Sequence, residues 1–301
     1  MYTGVALSVT ATSLFAGLYY YATLLQPLSG EEIFGLRILM TLPIVTLFMA
    51  LTKEWPRVVE IVQRIRARPA LVIPLACSSA LLGVQQWLFM WAPLNGSAPQ
   101  VSLGYFLLPL SMLTVGRLLY REKLSMLKTA EVVTAAVGVA HAVIQAGGFS
   151  WEAITVCFGF PAYFVLRKAL STDHLGGLWF DMLLTLPVAA WFILREPATV
   201  NSFSGRTALY PLVILLGVIS AVAYMCYIAA SSQLSLSSFG LLGYVEPVLM
   251  VAVALLIGEH IDADEWWTYL LIWCAVLLLV ADGIQHLRAA NRSLPIRHGA
   301  Q

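Results

Sequence analysis

Charge is what this chain lacks most. Only 11% of its 301 residues are Asp, Glu, Lys or Arg, while 60% are hydrophobic. A soluble domain carries about 25% charged residues, so an ordinary water-facing globule is excluded. The formal net charge is +1, and no basic run is interleaved with aromatics. That argues against nucleic acid as a partner. Cysteine is scarce too. Cys77, Cys157, Cys226 and Cys274 all fall inside apolar runs, and none forms a C-x-x-C pair. Neither a disulfide framework nor a metal site is expected. There is no H-E-x-x-H, no G-x-S-x-G, no Cys/His cluster and no P-loop. The expectation is therefore no cofactor, no ATP-driven pumping within the chain and no enzyme, with an intramembrane enzyme kept as the rival class. The opening "MYTGVALSVTATSLFAG" lacks the positively charged start of a cleaved signal peptide and reads as a first membrane span.

What is present is a series of apolar runs of about 20 residues, the length a helix needs to cross the hydrocarbon of a bilayer. Spans are expected at 3–25, 32–52, 70–92, 99–120, 127–146, 151–171, 175–194, 209–231, 237–257 and 266–286. Barrel strands would be shorter and alternating, so the fold class is all-α integral membrane with ten transmembrane helices. Lys and Arg set the orientation. Lys53, Arg57, Arg64, Arg66, Arg68, Arg117, Arg121, Lys123, Lys128, Arg167, Lys168, Arg288, Arg292 and Arg297 fall on one side of a ten-span path. The other side has only Arg195 and Arg206. Both termini are then expected in the cytoplasm. The segment "PRVVEIVQRIRARP" puts Val58, Ile61, Val62 and Ile65 on one helical face, and is expected to lie on the cytoplasmic membrane surface.

The chain also repeats itself. Thr41-Leu42-Pro43 matches Thr185-Leu186-Pro187 at an offset of 144, which sets Arg37 on Asp181 and Tyr19 on Tyr163. Further on, "SLGYFLLPLSMLTVGRLLYRE" resembles "SSFGLLGYVEPVLMVAVALLIGE", with Pro109 on Pro247 and Glu122 on Glu259. Two five-helix units follow: residues 1–147, residues 148–287, and a cytoplasmic tail over 288–301. An odd number of spans per unit makes the repeat inverted, the arrangement that lets a transporter alternate between inward-open and outward-open states around a midplane site.

Polar groups inside spans are the site candidates, because each costs insertion energy. Arg37 and Asp181 each sit about 9 Å deep at opposite ends of a core about 30 Å thick. They are candidate gate or pathway elements rather than partners. Arg37 could equally snorkel to headgroups, and Asp181 could cap polar atoms near the cytoplasm. Glu246, about 14 Å deep, is the midplane candidate for substrate binding or for carrying a coupled proton; a structural hydrogen bond is the alternative. Pro109 and Pro247 each remove a backbone donor and are candidate helix breaks. Tyr105 and Tyr244 beside them are candidate cavity groups. Gln85 and Gln86 are polar within the third span, and Trp87 and Trp91, one turn apart, could stack on a planar substrate or simply pack. Tyr19 and Tyr163 complete the candidate set. His141 reads as a helix contact rather than a ligand.

Several stretches together resemble a known family. "WLFMWA" at 87–92, "SLGYFLLPL" at 102–110, "YFVLRKAL" at 163–170 and "LPVAA" at 186–190, set on a ten-span plan, are similar to the RarD-type branch of the EamA/drug-metabolite transporter superfamily. The likeness covers nearly the whole chain, with departures at Gln100 and Leu36. It implies a multi-pass protein of the cytoplasmic (inner) membrane that moves small metabolites, amino acids or drugs, usually outward. It also implies an association by name with chloramphenicol sensitivity. The expected partners are a small-molecule substrate, the lipid bilayer and a coupled proton. Uptake or exchange is the alternative direction, and oligomeric state is not implied.

Overall fold

A peptide group left unpaired in hydrocarbon costs several kcal/mol, so an apolar run of spanning length folds as a helix that satisfies its own backbone. The computed structural model describes residues 2–122, 126–195, 203, 205–246 and 248–249, with single helical positions between 266 and 277. The elements in chain order are α1 (Tyr2–Leu24), α2 (Gly30–Leu51), α3 (Pro56–Ala67), α4 (Val72–Trp91), α5 (Ala98–Tyr120), α6 (Met126–Gln145), α7 (Trp151–Ala169), α8 (Leu175–Arg195), α9 (Leu209–Gln233) and the short α10 (Leu236–Leu242). Among the described residues, six stretches are long and apolar enough to cross a membrane: Thr3–Leu24, Gly30–Leu51, Pro69–Leu94, Ala98–Tyr120, Leu175–Arg195 and Leu209–Gln233. The molecule is a multi-pass, all-helical membrane protein over its described residues.

Eight of the expected spans coincide with α1, α2 and α4 to α9. Two of these, α6 and α7, are less apolar than the rest. The apolar part of α6 is only Val132–Gln145, and α7 has Glu152 in its first turn and Arg167 and Lys168 in its last. The expected ninth span begins with α10. Most of its remainder, most of the tenth and the tail lie outside the described residues, as does Pro247.

Helix starts follow local chemistry. Ser29 caps α2 in a capping box: the Glu32 N–H donates to Ser29 Oγ at 3.3 Å, and the Ser29 N–H donates to Glu32 Oε2 at 2.6 Å. Ser150 caps α7 by accepting from the Ala153 N–H at 3.1 Å. The helices then pack in a crossed pattern: α1 on α9, α2 on α8 and α9, α4 on α7 and α8, and α5 on α7 and α10. Close crossings use glycine, since lipid gives no hydrophobic drive between helices and van der Waals fit must do the work. A Cβ on Gly35 would stand 2.6 Å from the Ala189 carbonyl oxygen of α8, and one on Gly104 would stand 2.7 Å from Val156 Cβ of α7.

The amphipathic α3 shows what covers its apolar stripe. Its stripe is not left for lipid. Val58 and Ile61 are buried, Val62 and Ile65 pack against the main core, and α3 lies on α8. Arg64 Nη2 also donates to the Leu170 carbonyl at 2.7 Å. An apolar face looks the same in sequence whether protein or lipid covers it. Here protein does.

Candidate functional site

The helices line a partly open cavity between them. Its walls come from both parts of the chain: Ser8, Thr12 and Phe15 on α1; Arg37 on α2; Gln85, Gln86 and Phe89 on α4; Tyr105, Leu108, Pro109 and Met112 on α5. From further along come Phe160 of α7, Tyr224 and Tyr227 of α9, and Phe239, Gly240, Gly243 and Glu246.

A break in the backbone helps to shape this wall. Helix α10 stops at Leu242, and Gly243 and Tyr244 form a turn before helical geometry resumes at 245–246. The turn is tightened by i→i−3 bonds: the Gly243 N–H donates to Gly240 O at 2.8 Å, Tyr244 N–H to Leu241 O at 3.1 Å, and Glu246 N–H to Gly243 O at 3.1 Å. Proline at 247 has no N–H to offer the Gly243 carbonyl, which favours a stop there. Pro109 behaves otherwise. Helix α5 runs unbroken through it from Ala98 to Tyr120, so the expected break is absent at that proline. One missing backbone bond is tolerated because α7 and α10 pack along the same helix.

Arg37 is held in an unusual way. It is 1% exposed, yet only its Nε has a protein partner, donating to Ser220 Oγ at 2.9 Å. The guanidinium carbon lies 5.0 Å from the Tyr224 ring centre, 5.6 Å from Phe89 and 6.0 Å from Phe15, within range for cation–π attraction. Nη1 and Nη2 are buried without a hydrogen-bond partner. Gln85 is oriented by its Nε2, which donates to the Thr155 carbonyl at 2.9 Å. That leaves Gln85 Oε1 unpartnered, as are Gln86 Oε1 and Ser8 Oγ.

Asp181 sits elsewhere. It is 1% exposed and ion-paired with Arg167. Tyr163 donates to Asp181 Oδ2 at 3.0 Å, Ser78 donates to Oδ1 at 3.0 Å, and Arg167 Nη2 reaches the His174 carbonyl at 2.8 Å. This knot ties α4, α7 and α8 together. Arg37 and Asp181 thus have separate partners.

The candidates from the sequence divide accordingly. Arg37, Glu246, Gln85, Gln86, Tyr105 and Pro109 line the cavity. Tyr163 and Asp181 belong to the buried knot. Tyr19 packs one layer back, with its ring 5.5 Å from Phe89. Trp87 and Trp91 lie 5.3 Å apart and lead towards Trp151, outside the cavity wall. Tyr244 is fully buried in a satellite cluster with Phe106, Leu113 and Val139. Sequence reading missed Tyr224 and Tyr227, which stand one turn apart in an otherwise apolar helix. It also took Arg167 for a cytoplasmic surface charge. Its position one turn after Tyr163 is the only signal that it belongs to a buried pair.

Outside the spans, Glu122 closes the other end of α10. Its Oε1 accepts from the Leu236 N–H at 2.9 Å and its Oε2 from the Ser237 N–H at 3.0 Å. Burial pushes this carboxyl up. Hydrogen bonds from Ser237 and Leu236, with the nearby Lys168 charge, outweigh that and hold it below the usual carboxylate range.

Comparison with known proteins places this architecture. No family model matches the chain. An uncharacterized transporter of Pasteurella multocida is 43% identical over 96% of this chain and 99% of that protein. The chloramphenicol-sensitive protein RarD of Pseudomonas aeruginosa is 38% identical over 96% of this chain and 97% of its own length. One crystal structure shares the fold with a TM-score of 0.63 at 18% identity, covering 92% of this chain and 98% of that one. With a membrane-embedded helical bundle, a cavity inside it that sets a few polar groups among aromatic and apolar ones, and relatives named as transporters over nearly their whole lengths, the chain belongs to the RarD branch of the drug/metabolite transporter superfamily.

Proposed function

We propose that the protein is a secondary transporter of the inner membrane. It would work by alternating access, export a small metabolite or drug, and carry its passenger in the cavity between α1, α2, α4, α5, α7, α9 and α10. The observation that carries this reading is the cavity itself: Arg37 and Glu246 line one space from distant parts of the sequence. Ionisable groups at such depth are costly and mark a pathway.

The packing supports two interchangeable units, 1–147 and 148–287. Pair α1 with α7, α2 with α8, α4 with α9 and α5 with α10, as the sequence repeat does. Exchanging the members then turns the α1–α9 contact into α7–α4, α2–α9 into α8–α4, and α5–α7 into α10–α1, all of which occur. The α2–α8 and α5–α10 contacts map onto themselves. Such a pattern is what a pseudo-twofold axis in the membrane plane would produce, and it supplies two near-equivalent packings for inward and outward states. The Lys and Arg asymmetry of the loops supports cytoplasmic termini.

The Pseudomonas relative's name makes chloramphenicol the first passenger to try. Proteoliposomes preloaded with a passenger should accumulate its labelled form by counterflow, which a channel or an enzyme cannot do. Side-specific cysteine labelling should find the connections 121–128 and 259–265 on opposite faces of the bilayer. Labelling on one face would end the inverted-repeat reading.

A further inference from the structure

Two buried joints of the bundle are built alike and end differently. In one, Arg37 Nε of α2 donates to Ser220 Oγ of α9 at 2.9 Å. In the other, Ser78 Oγ of α4 donates to Asp181 Oδ1 of α8 at 3.0 Å. Arg37 and Asp181 are mates in the sequence repeat, and so are the two serines. Ser78 falls on Ser220 at an offset of 142, between the 144 of Thr41 and Thr185 and the 138 of Pro109 and Pro247. Exchanging the proposed units therefore carries one hydrogen bond onto the other. Their surroundings differ. Arg37 lines the cavity together with Glu246, whereas Asp181, Arg167, Tyr163 and Ser78 are not among the described residues that line it. Those four close on one another, and a seat is left for the closure: a Cβ on Gly177 would stand 2.7 Å from Arg167 Cζ. One ring separates this knot from the cavity. Phe164 lies 5.1 Å from Tyr163, 5.1 Å from Phe239 and 5.6 Å from Tyr227, and the last two are cavity wall.

A buried ion pair is a poor source of stability but a sharp switch. Its Coulomb gain roughly offsets its desolvation, so a dry, paired form and a wet, parted form can lie close in free energy. A half-open joint, with the ions parted and still dry, lies well above both. We propose that the Arg167–Asp181 knot is the cytoplasmic latch of the carrier: paired and shut while Arg37 faces the cavity, parted and hydrated when the cavity opens to the cytoplasm. The Arg37–Ser220 joint takes the shut role at the outer face in that second state. This rests on the alternating-access reading and on the cytoplasmic side that the Lys and Arg asymmetry gives to Arg167. Thr23 stands where the repeat would place the mate of Arg167. The outer joint thus has a hydrogen bond where the inner one has an ion pair as well, and the resting bundle is shut to the cytoplasm.

The test is hydrogen–deuterium exchange of the full-length protein in lipid nanodiscs, read on peptides by mass spectrometry, with no passenger added. Breaking the latch should shift the population towards the inward-open form. Uptake over 72–82 and 163–181 should rise roughly tenfold in Asp181→Asn and about threefold in Tyr163→Phe, which loses a single hydrogen bond. Uptake over 30–38 and 212–220 should fall in both. That fall at the outer face is what a merely structural role would not produce. A rise on the inner side alone, or a rise everywhere, would overturn the latch, and Tyr163→Phe decides the matter if Asp181→Asn does not fold. A lock gives the converse. Ser79 Oγ and Thr185 Oγ1 lie 2.9 Å apart across the same joint, so Ser79→Cys with Thr185→Cys, in a Cys77→Ala background, can close a disulfide there. Oxidation should cancel the effect of Tyr163→Phe on both faces, and reduction should restore it. A shift that persists in the oxidised protein would also remove the latch. Counterflow bears on the transporter reading alone: exchange that continues in a protein whose deuterium pattern refutes the latch would leave the transporter standing.

Discussion

The Arg167–Asp181 pair shows what a buried charge demands of its neighbours. Each side chain is 1% exposed, with Ser78 donating to Oδ1 and Tyr163 to Oδ2 of the carboxylate. Removing one member leaves the other charged, buried and alone, which costs about 3–5 kcal/mol. Asp181→Asn should therefore lower the thermal midpoint of the detergent-solubilised protein strongly. The double variant Arg167→Met, Asp181→Leu should recover much of the loss, because an apolar pair of similar volume is often neutral there. A single variant as stable as the wild type would mean that the pair adds nothing to the fold. Polar residues within apolar runs were the legible part of the cavity: Arg37, Gln85, Gln86 and Glu246 stood out because nothing nearby resembled them. Arg167 did not stand out. At the last turn of a span it looks like any cation at a cytoplasmic boundary, and only the crossing of α7 with α8 brings it to Asp181. Tyr224 and Tyr227 were hidden for a related reason, since tyrosine in an apolar helix is ordinary and its facing depends on neighbours from distant parts of the chain.

Helices were easier to read than their coverings. The span limits followed from runs of apolar residues, while the Ser29 cap starts α2 at Gly30, two residues before the expected limit. What lies against each face, as α3 shows, requires the tertiary arrangement. Two contacts between elements give separate expectations. At the α2–α8 crossing, Gly35→Ala pushes a methyl to within 2.6 Å of a backbone oxygen, which must move. Overpacking of this kind costs about 1–3 kcal/mol. Gly17→Ala, with nothing within 4 Å of its Cβ, is the control and should be neutral or slightly stabilising. Equal melting points for the two variants would argue against a tight crossing. The second contact is Glu122 on the start of α10. Its carboxyl is depressed in the folded state, so the bond contributes above the unfolded pKa and is lost as pH falls through the folded value. Glu122→Gln should melt about 2–4 °C below the wild type at neutral pH. The two should converge only when acid has protonated the wild-type carboxyl below the usual range. A constant gap at every pH would place the effect in packing instead.

Alternating access makes a demand that no single packing can meet: an energy source must bias which state binds and which releases. A coupled proton needs a carboxyl that the cavity can reach from either side and that changes charge within the cycle. Glu246 is placed for this. It lies just after the Gly243–Tyr244 turn, in the same cavity as Arg37, and its backbone is anchored by the turn rather than by a full helical ladder. The aligned position in the first half is Leu108, an apolar residue on the same cavity wall. Under the proposed repeat, the two halves would be alike in packing and unlike in charge, with a single titratable carboxyl in the cavity to carry the coupled proton. Glutamine at 246 keeps the shape and fixes the charge at zero. Glu246→Gln should retain counterflow exchange, which needs only the two conformations, and lose accumulation driven by an imposed pH gradient. Both are read in the same proteoliposomes with the same labelled passenger. Gradient-driven accumulation that persists in the variant would take the proton away from Glu246; loss of exchange together with accumulation would make Glu246 a ligand for the passenger instead.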